Sequence, residues 1–190
     1  MTTVLVTYDS DYGNTKTMAE AVAEGVDAVD GCESLLKDVS DATAEDVEAA
    51  AGVIVGTPVH MGACSANVKK WIDEVCGGLW MENKAVGKVG AVFASGSGYG
   101  SAGGGCELAM LSVLTNLAEL GMILVSLPKA TAGYERAGLH WGPYGRSATP
   151  SMEQVGVGDT PLEVCRNHGR HVANIAKLHE GQTVFTKADA

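Results

Sequence analysis

The run Gly52-Val53-Ile54-Val55-Gly56 constrains this chain more than any other feature. It has no polar alternation, so it reads as a strand buried on both faces. Val4-Leu5-Val6, within a strand from Val4 to Tyr8, and the run from Lys88 to Ala94 have the same character. Helical patterns lie between them. Residues 14–28 place Met18, Ala21, Val22, Gly25 and Val26 on one stripe, and Ser65 precedes a helix with Val68, Trp71, Ile72 and Val75 inward. Residues 107–120 form a third helix, with Gly121 as its stop. A weak strand near 35–37 and a short acidic helix from Thr43, with Asp46 at capping-box spacing, fill the second unit. Met122 to Val125 reads as the last core strand. Parallel neighbours need crossover connections, so this alternation predicts an α/β fold with helices on both faces of a parallel sheet. Five strands with an unusual turn after the first predict the doubly wound order 2-1-3-4-5.

The 190 residues suffice for one domain with a substantial core, read as 1–190 with a long loop insertion at about 126–159. That stretch is Gly-rich, carries Pro128, Pro143 and Pro150, and breaks the rhythm, as functional or interface loops do. After it, Thr160 as N-cap, Pro161 at the first helical position and Glu163 predict a helix to about Leu178. A formal charge of −10 opposes binding to duplex nucleic acid or an anionic membrane. No apolar run is long enough to span a bilayer, so membrane insertion is not expected. The first strand sits at the N-terminus, so no signal peptide is expected. Five cysteines, an odd and widely spaced set without a C-x-x-C, point to a reducing cytoplasm rather than a disulfide framework.

In open parallel sheets, ligands bind beyond the C-terminal strand ends, at the switch between strands one and three. Three unusual loops fall there. After the first strand comes Ser10-Asp11-Tyr12-Gly13-Asn14-Thr15, a hydroxyl-rich turn that leads into a helix N-terminus. Such a turn holds a phosphate on backbone N–H groups and neutral side chains, without Lys or Arg. Gly13 permits the sharp turn. After the third strand comes Thr57-Pro58-Val59-His60-Met61-Gly62, stiffened by Pro58, with Val59 and Met61 to lie against a flat ring. After the fourth comes Ser95-Gly96-Ser97-Gly98-Tyr99-Gly100, which lets backbone amides approach the ring's polar edge. Together they suit a flat heterocycle carrying a phosphate, with flavin mononucleotide (FMN) the obvious candidate. Gly96-x-Gly98-x-x-Ser101 is a poor dinucleotide fingerprint, because it follows the fourth strand and not the first.

The first loop resembles the phosphate loop of flavodoxins. Gly56-Thr57-Pro58 through Gly62 and Ser65-Ala66 are similar to the WrbA-type NAD(P)H:quinone oxidoreductases within that superfamily. So are Gly77-Gly78-Leu79-Trp80, Gly87-Lys88, Val92-Phe93, Gly121-Met122, Gly142-Pro143-Tyr144-Gly145, Gly169 and Val172-Ala173. The resemblance implies a flavodoxin-like fold. It implies FMN held by Ser10 to Thr15, Pro58 to Gly62 and the loop from Ser95, with Trp80 on the substrate side of the flavin. It further implies NADH or NADPH as electron donor, a quinone-like acceptor, and a homo-oligomer, dimer or tetramer. In a tetramer Trp80 and the Gly142–Gly145 stretch would lie near subunit boundaries. The chain departs from the family pattern at His60 and Met61 (Arg and Phe), at Ala63 (Asn), at Leu120 (a His beside the flavin) and in the inserted Tyr99-Gly100-Ser101-Ala102.

Single residues carry competing readings. His60 donates to a reducible oxygen, stabilises reduced-flavin charge, or is an exposed loop histidine. Tyr99 stacks on the ring or covers a loop. Cys64 reads as an inert thiol beside the second loop. Cys165, His168 and His171 recur every three residues, but their face drifts and no fourth ligand is evident, so no metal is expected. Asp9 and Asp11 would repel a phosphate and are expected to face solvent. The function expected is two-electron reduction of a quinone-like acceptor by NAD(P)H through FMN. The alternatives are a single-electron carrier between proteins, which the acidic charge suits, and a non-catalytic FMN-binding scaffold.

Overall fold

The computed structural model describes residues 1–98 and 103–182. Strands β1 (Thr2–Tyr8), β2 (Cys32–Asp38), β3 (Gly52–Pro58) and β4 (Val89–Gly96) alternate with helices α1 (Asn14–Asp27), α2 (Ala44–Ala49) and α3 (Ala66–Trp71). They pair in parallel in the order β2-β1-β3-β4, as the pattern predicts. β2 is longer than the weak signal near 35–37 suggested. As an edge strand with partly exposed side chains it lacks the apolar run of a central strand.

The fifth strand differs from expectation. The single strand 122–125 is replaced by two pieces on the same edge of β4. β5 (Ile123–Leu124) pairs with Val89 and Gly90 at the base, and β7 (Gly142–Arg146) pairs with Ala94 to Gly96 at the ligand end. Pro128, which has no N–H to give a ladder, follows soon after the chain leaves the sheet. Short α6 (Tyr134–Ala137) and β6 (Gly138–Leu139) bring it back, β6 pairing antiparallel to β7. The segment 126–159, expected to lack regular structure, therefore completes the sheet.

Two cores flank the sheet. On one face Leu5, Val53, Val55 and Val92 meet α2, α3 and α5 (Cys106–Glu119). On the other Val4, Val6, Ile54 and Phe93 meet α1 and the long α7 (Asp159–His179). Fully buried Met18, Val22 and Val26 of α1 contribute roughly 1.5–3 kcal/mol each by leaving water. α1 and α7 touch through their backbones. A Cβ on Gly25 would lie 2.0 Å from the Arg166 carbonyl oxygen, and one on Gly169 would lie 2.1 Å from that of Val22. The α7 start also differs from expectation. Gly158 is the N-cap with no side-chain bond, Asp159 opens the first turn, and Thr160 lies inside the helix. An acidic first turn satisfies the positive helix end that a hydroxyl cap would otherwise serve.

The capping box at Thr43 and Asp46 is present, and Ser65 Oγ caps α3 by accepting from Val68 N–H at 3.2 Å. That helix continues through a π turn, Ile72–Cys76, into α4 (Gly77–Met81), and so runs from the ligand end of β3 to the base of β4. Gly121, at φ +77, closes α5 as its position predicts.

Candidate functional site

β1 ends at Tyr8 and α1 begins at Asn14, so the turn between them lies at the ligand end of the sheet. Gly13 adopts φ +82, which only glycine tolerates cheaply, and this turns the first N–H groups of α1 outward. Ser10 Oγ accepts from Lys16 N–H at 3.2 Å, leaving its own proton to donate. Thr15 and Ser95 join hydroxyls at 2.8 Å in a buried contact, pinning the helix start to the end of β4. The second loop is anchored by Thr57, whose Oγ1 accepts from Ser65 N–H at 3.0 Å. Val59 N–H donates to the Ser95 carbonyl at 2.8 Å, tying the second loop to the third.

The three loops enclose a crevice of about 270 Å³ lined by Ser10, Asp11, Tyr12, Asn14, Thr15, Pro58, Val59, His60, Ser95, Gly96 and Ser97. Eleven residues singled out from the sequence thus meet at one place. Gly13 shapes the turn, and Thr57, Gly62 and Gly98, buried or half-buried, do not line the crevice. Met61 does not join them. It points wholly into solvent from a left-handed backbone, φ 51, so of the two side chains expected against the ring only Val59 lines the crevice. Tyr99 and Gly100 lie outside the described residues.

Neutral donors dominate the crevice, and among the described residues no Lys or Arg lines it. The side chains of Asn14 and Ser97 have no hydrogen-bond partner among the described residues, so their capacity is free for a ligand. This donor set fits a phosphate of the kind a flavin mononucleotide carries. At the mouth His60 Nε2 faces Asp11 Oδ2 at 3.4 Å, a contact between the first and second loops. Asp11 is exposed, as expected, but Asp9 is not. Asp9 is buried and takes a 3.2 Å bond from Asn67 Nδ2 of α3, because it continues the β1 alternation toward that helix.

Sequence reasoning missed one wall. Ser147 and Gln154 also line the crevice. They follow β7, where Tyr144 Oη donates to the Gly96 carbonyl at 3.2 Å and Arg146 Nη2 donates to the Gly98 carbonyl at 2.5 Å. Burial first, then the Cys106 thiol, pushes the Tyr144 phenol up to about 12, which keeps it a donor. The turn signal Thr149-Pro150-Ser151 was available, since Pro favours the second position of a β-turn.

Trp80 and Leu120 lie elsewhere. From Ser65 to Trp80 the helix advances roughly 20 Å toward the base of the sheet at about 1.5 Å per residue. There half-exposed Trp80 and buried Leu120 share a hollow of about 170 Å³ with Ile72, Asp73, Cys76, Gly77, Asn116 and Glu119. Burial pushes the Cys76 thiol up to about 12, so it stays protonated. Of the triplet on α7, Cys165 and His168 are fully buried core residues and His171 is half-buried.

The Flavodoxin family signature matches residues 6–141. A relative named flavodoxin, from Aquifex aeolicus, is 39% identical over 170 residues, which cover 90% of this chain and 84% of its own. One named NAD(P)H dehydrogenase (quinone), from Gluconacetobacter diazotrophicus, is 37% identical over 199 residues, 93% of this chain and 98% of its own. Among solved structures, the flavodoxin, WrbA-like protein from Agrobacterium tumefaciens has a TM-score of 0.71 at 26% identity, over 94% of this chain and 99% of that one. Parallel order, ligand-end crevice and sequence match lead to one conclusion: the chain belongs to the flavodoxin family.

Proposed function

We propose that this protein is an FMN-dependent oxidoreductase that reduces a quinone-like acceptor by two electrons with NADH or NADPH as donor. The observation that carries the reading is the crevice itself, where three loops distant in sequence join neutral donors beside an apolar wall. The 37% identical relative supports the reaction through its name. Ser10, Asn14 and Thr15 hold the phosphate end. Pro58, Val59, Ser95, Gly96 and Ser97 bound the remainder, and His60 stands at the mouth. Bound there, FMN supplies the redox chemistry, while the chain supplies position and environment. Among the described residues no helix is long and apolar enough to cross a membrane, which suits a cytoplasmic enzyme.

Steady oxidation of NADH or NADPH with benzoquinone by the FMN-loaded protein, without any partner protein, is the expected result. The second reading, a one-electron carrier between proteins, is favoured by the flavodoxin relative and the −10 charge. Absence of turnover, with a stable one-electron-reduced flavin on photoreduction, decides for the carrier.

A further inference from the structure

The wall missed from the sequence is a small hairpin, 147–155. Val155 N–H donates to the Ser147 carbonyl at 2.9 Å, and Thr149 N–H to the Glu153 carbonyl at 2.9 Å. Its tip is a turn in which Met152 N–H reaches the Thr149 carbonyl at 2.9 Å, with Met152 left-handed at φ 70. The base is fixed twice. Ser147 N–H donates to the Gly96 carbonyl at 3.0 Å, and Gly145 lies so close to α1 that a Cβ there would come within 2.5 Å of the Met18 sulfur. The hairpin therefore rises beside the first turns of α1, where the phosphate turn ends.

Ser147 is only 5% exposed, yet its hydroxyl has no partner among the described residues. The Gln154 side chain has none either, and both line the crevice with Ser10, Asn14 and Thr15. The Ser147 hydroxyl is not among the fully buried polar atoms left without a partner, so it is accessible from the crevice and free to donate to a group from outside the chain. That group must accept several hydrogen bonds in a crevice that, among the described residues, is lined by no Lys or Arg and by one carboxylate, Asp11. A phosphate does so, since its oxygens accept from neutral donors on every side.

We propose that hairpin 147–155 is the second half of the phosphate site. The Ser147 hydroxyl and the Gln154 amide donate to the cofactor phosphate opposite Ser10, Asn14 and Thr15, and this lets the protein choose FMN over riboflavin. The proposal rests on the FMN reading and deepens it. Its test is titration of flavin-free protein with FMN and with riboflavin, followed by flavin fluorescence. Ser147→Ala with Gln154→Ala is expected to weaken FMN roughly a hundred-fold or more, as loss of two bonds to a charged group does, and to leave riboflavin unchanged. Gln154→Glu, nearly isosteric at an exposed position, is expected to weaken FMN alone. Equal losses for both flavins, or an unchanged FMN affinity, would overturn the assignment. So would wild-type protein that binds riboflavin as tightly as FMN. Wild-type protein that binds neither overturns the flavin reading along with it.

Discussion

His168 lies wholly inside the fold with neither ring nitrogen in a hydrogen bond. Burial, then the neighbouring His171, pushes its pKa down to about 3; the Val92 carbonyl opposes the shift but is not in bonding geometry. The native protein therefore holds this ring neutral where an unfolded chain, with a pKa of about 6.5, takes up a proton. Stability is unaffected above that value and falls as the pH drops from about 6.5 toward 3, by up to about 1.4 kcal/mol per unit. Urea midpoints measured from pH 7 to pH 4 should show this fall, and His168→Leu should flatten it. A wild-type midpoint that does not move across this range contradicts the account. The hydroxyls of Ser10 and Thr15 were legible because they stand in one short turn beside a strand signal. Ser147 and Gln154 were harder to place, because Pro150 marks a turn but Met152 occupies the left-handed position where glycine would have announced a hairpin.

At the scale of elements, the contact between α1 and α7 is set by two glycines that take the place of side chains. Neither helix can retreat, since Met18, Val22, Val26, Val172, Ala173 and Ala176 all pack in the same core. Gly25→Ala and Gly169→Ala should each destabilise the protein by about 1–3 kcal/mol, despite the better helix propensity of alanine. Thermal unfolding checks this, and a rise in Tm would refute it. In the sequence Gly25 reads as one more member of an apolar helical stripe, and Gly169 only as a point of family resemblance. Their role depends on which helices meet, which helical periodicity does not encode. The same limit hid the divided fifth strand. A two-residue β5 leaves too little periodicity to bound, and β7, Gly-Pro-Tyr-Gly-Arg, carries none of the usual strand composition.

At the scale of the molecule, the crevice lies at one end of the sheet and Trp80 at the other. The order 2-1-3-4 and the crevice position followed from the alternation of buried runs and from the switch-point rule. Trp80 shows where that reasoning stops, since resemblance put it beside a flavin and the helix carries it to the opposite end. Within one chain it cannot serve that crevice; in an assembly it can meet the crevice of another copy. A homo-oligomer is therefore expected, and Trp80→Asp should shift it toward monomer in sedimentation. Wild-type protein that sediments as a monomer removes any role for Trp80 beside a flavin.

The divided edge of β4 has a bearing on how such a chain can vary in length. Register is fixed separately at the base by Ile123 and Leu124 and at the ligand end by Tyr144 to Arg146. The excursion between them leaves the sheet and returns to it, and doubling a flexible connection costs only about 0.6 kcal/mol in closure entropy. Residues can thus be gained or lost near 128–132 without moving either anchor. The sheet edge is a place where new sequence can be added beside a binding crevice without disturbing the frame that holds it.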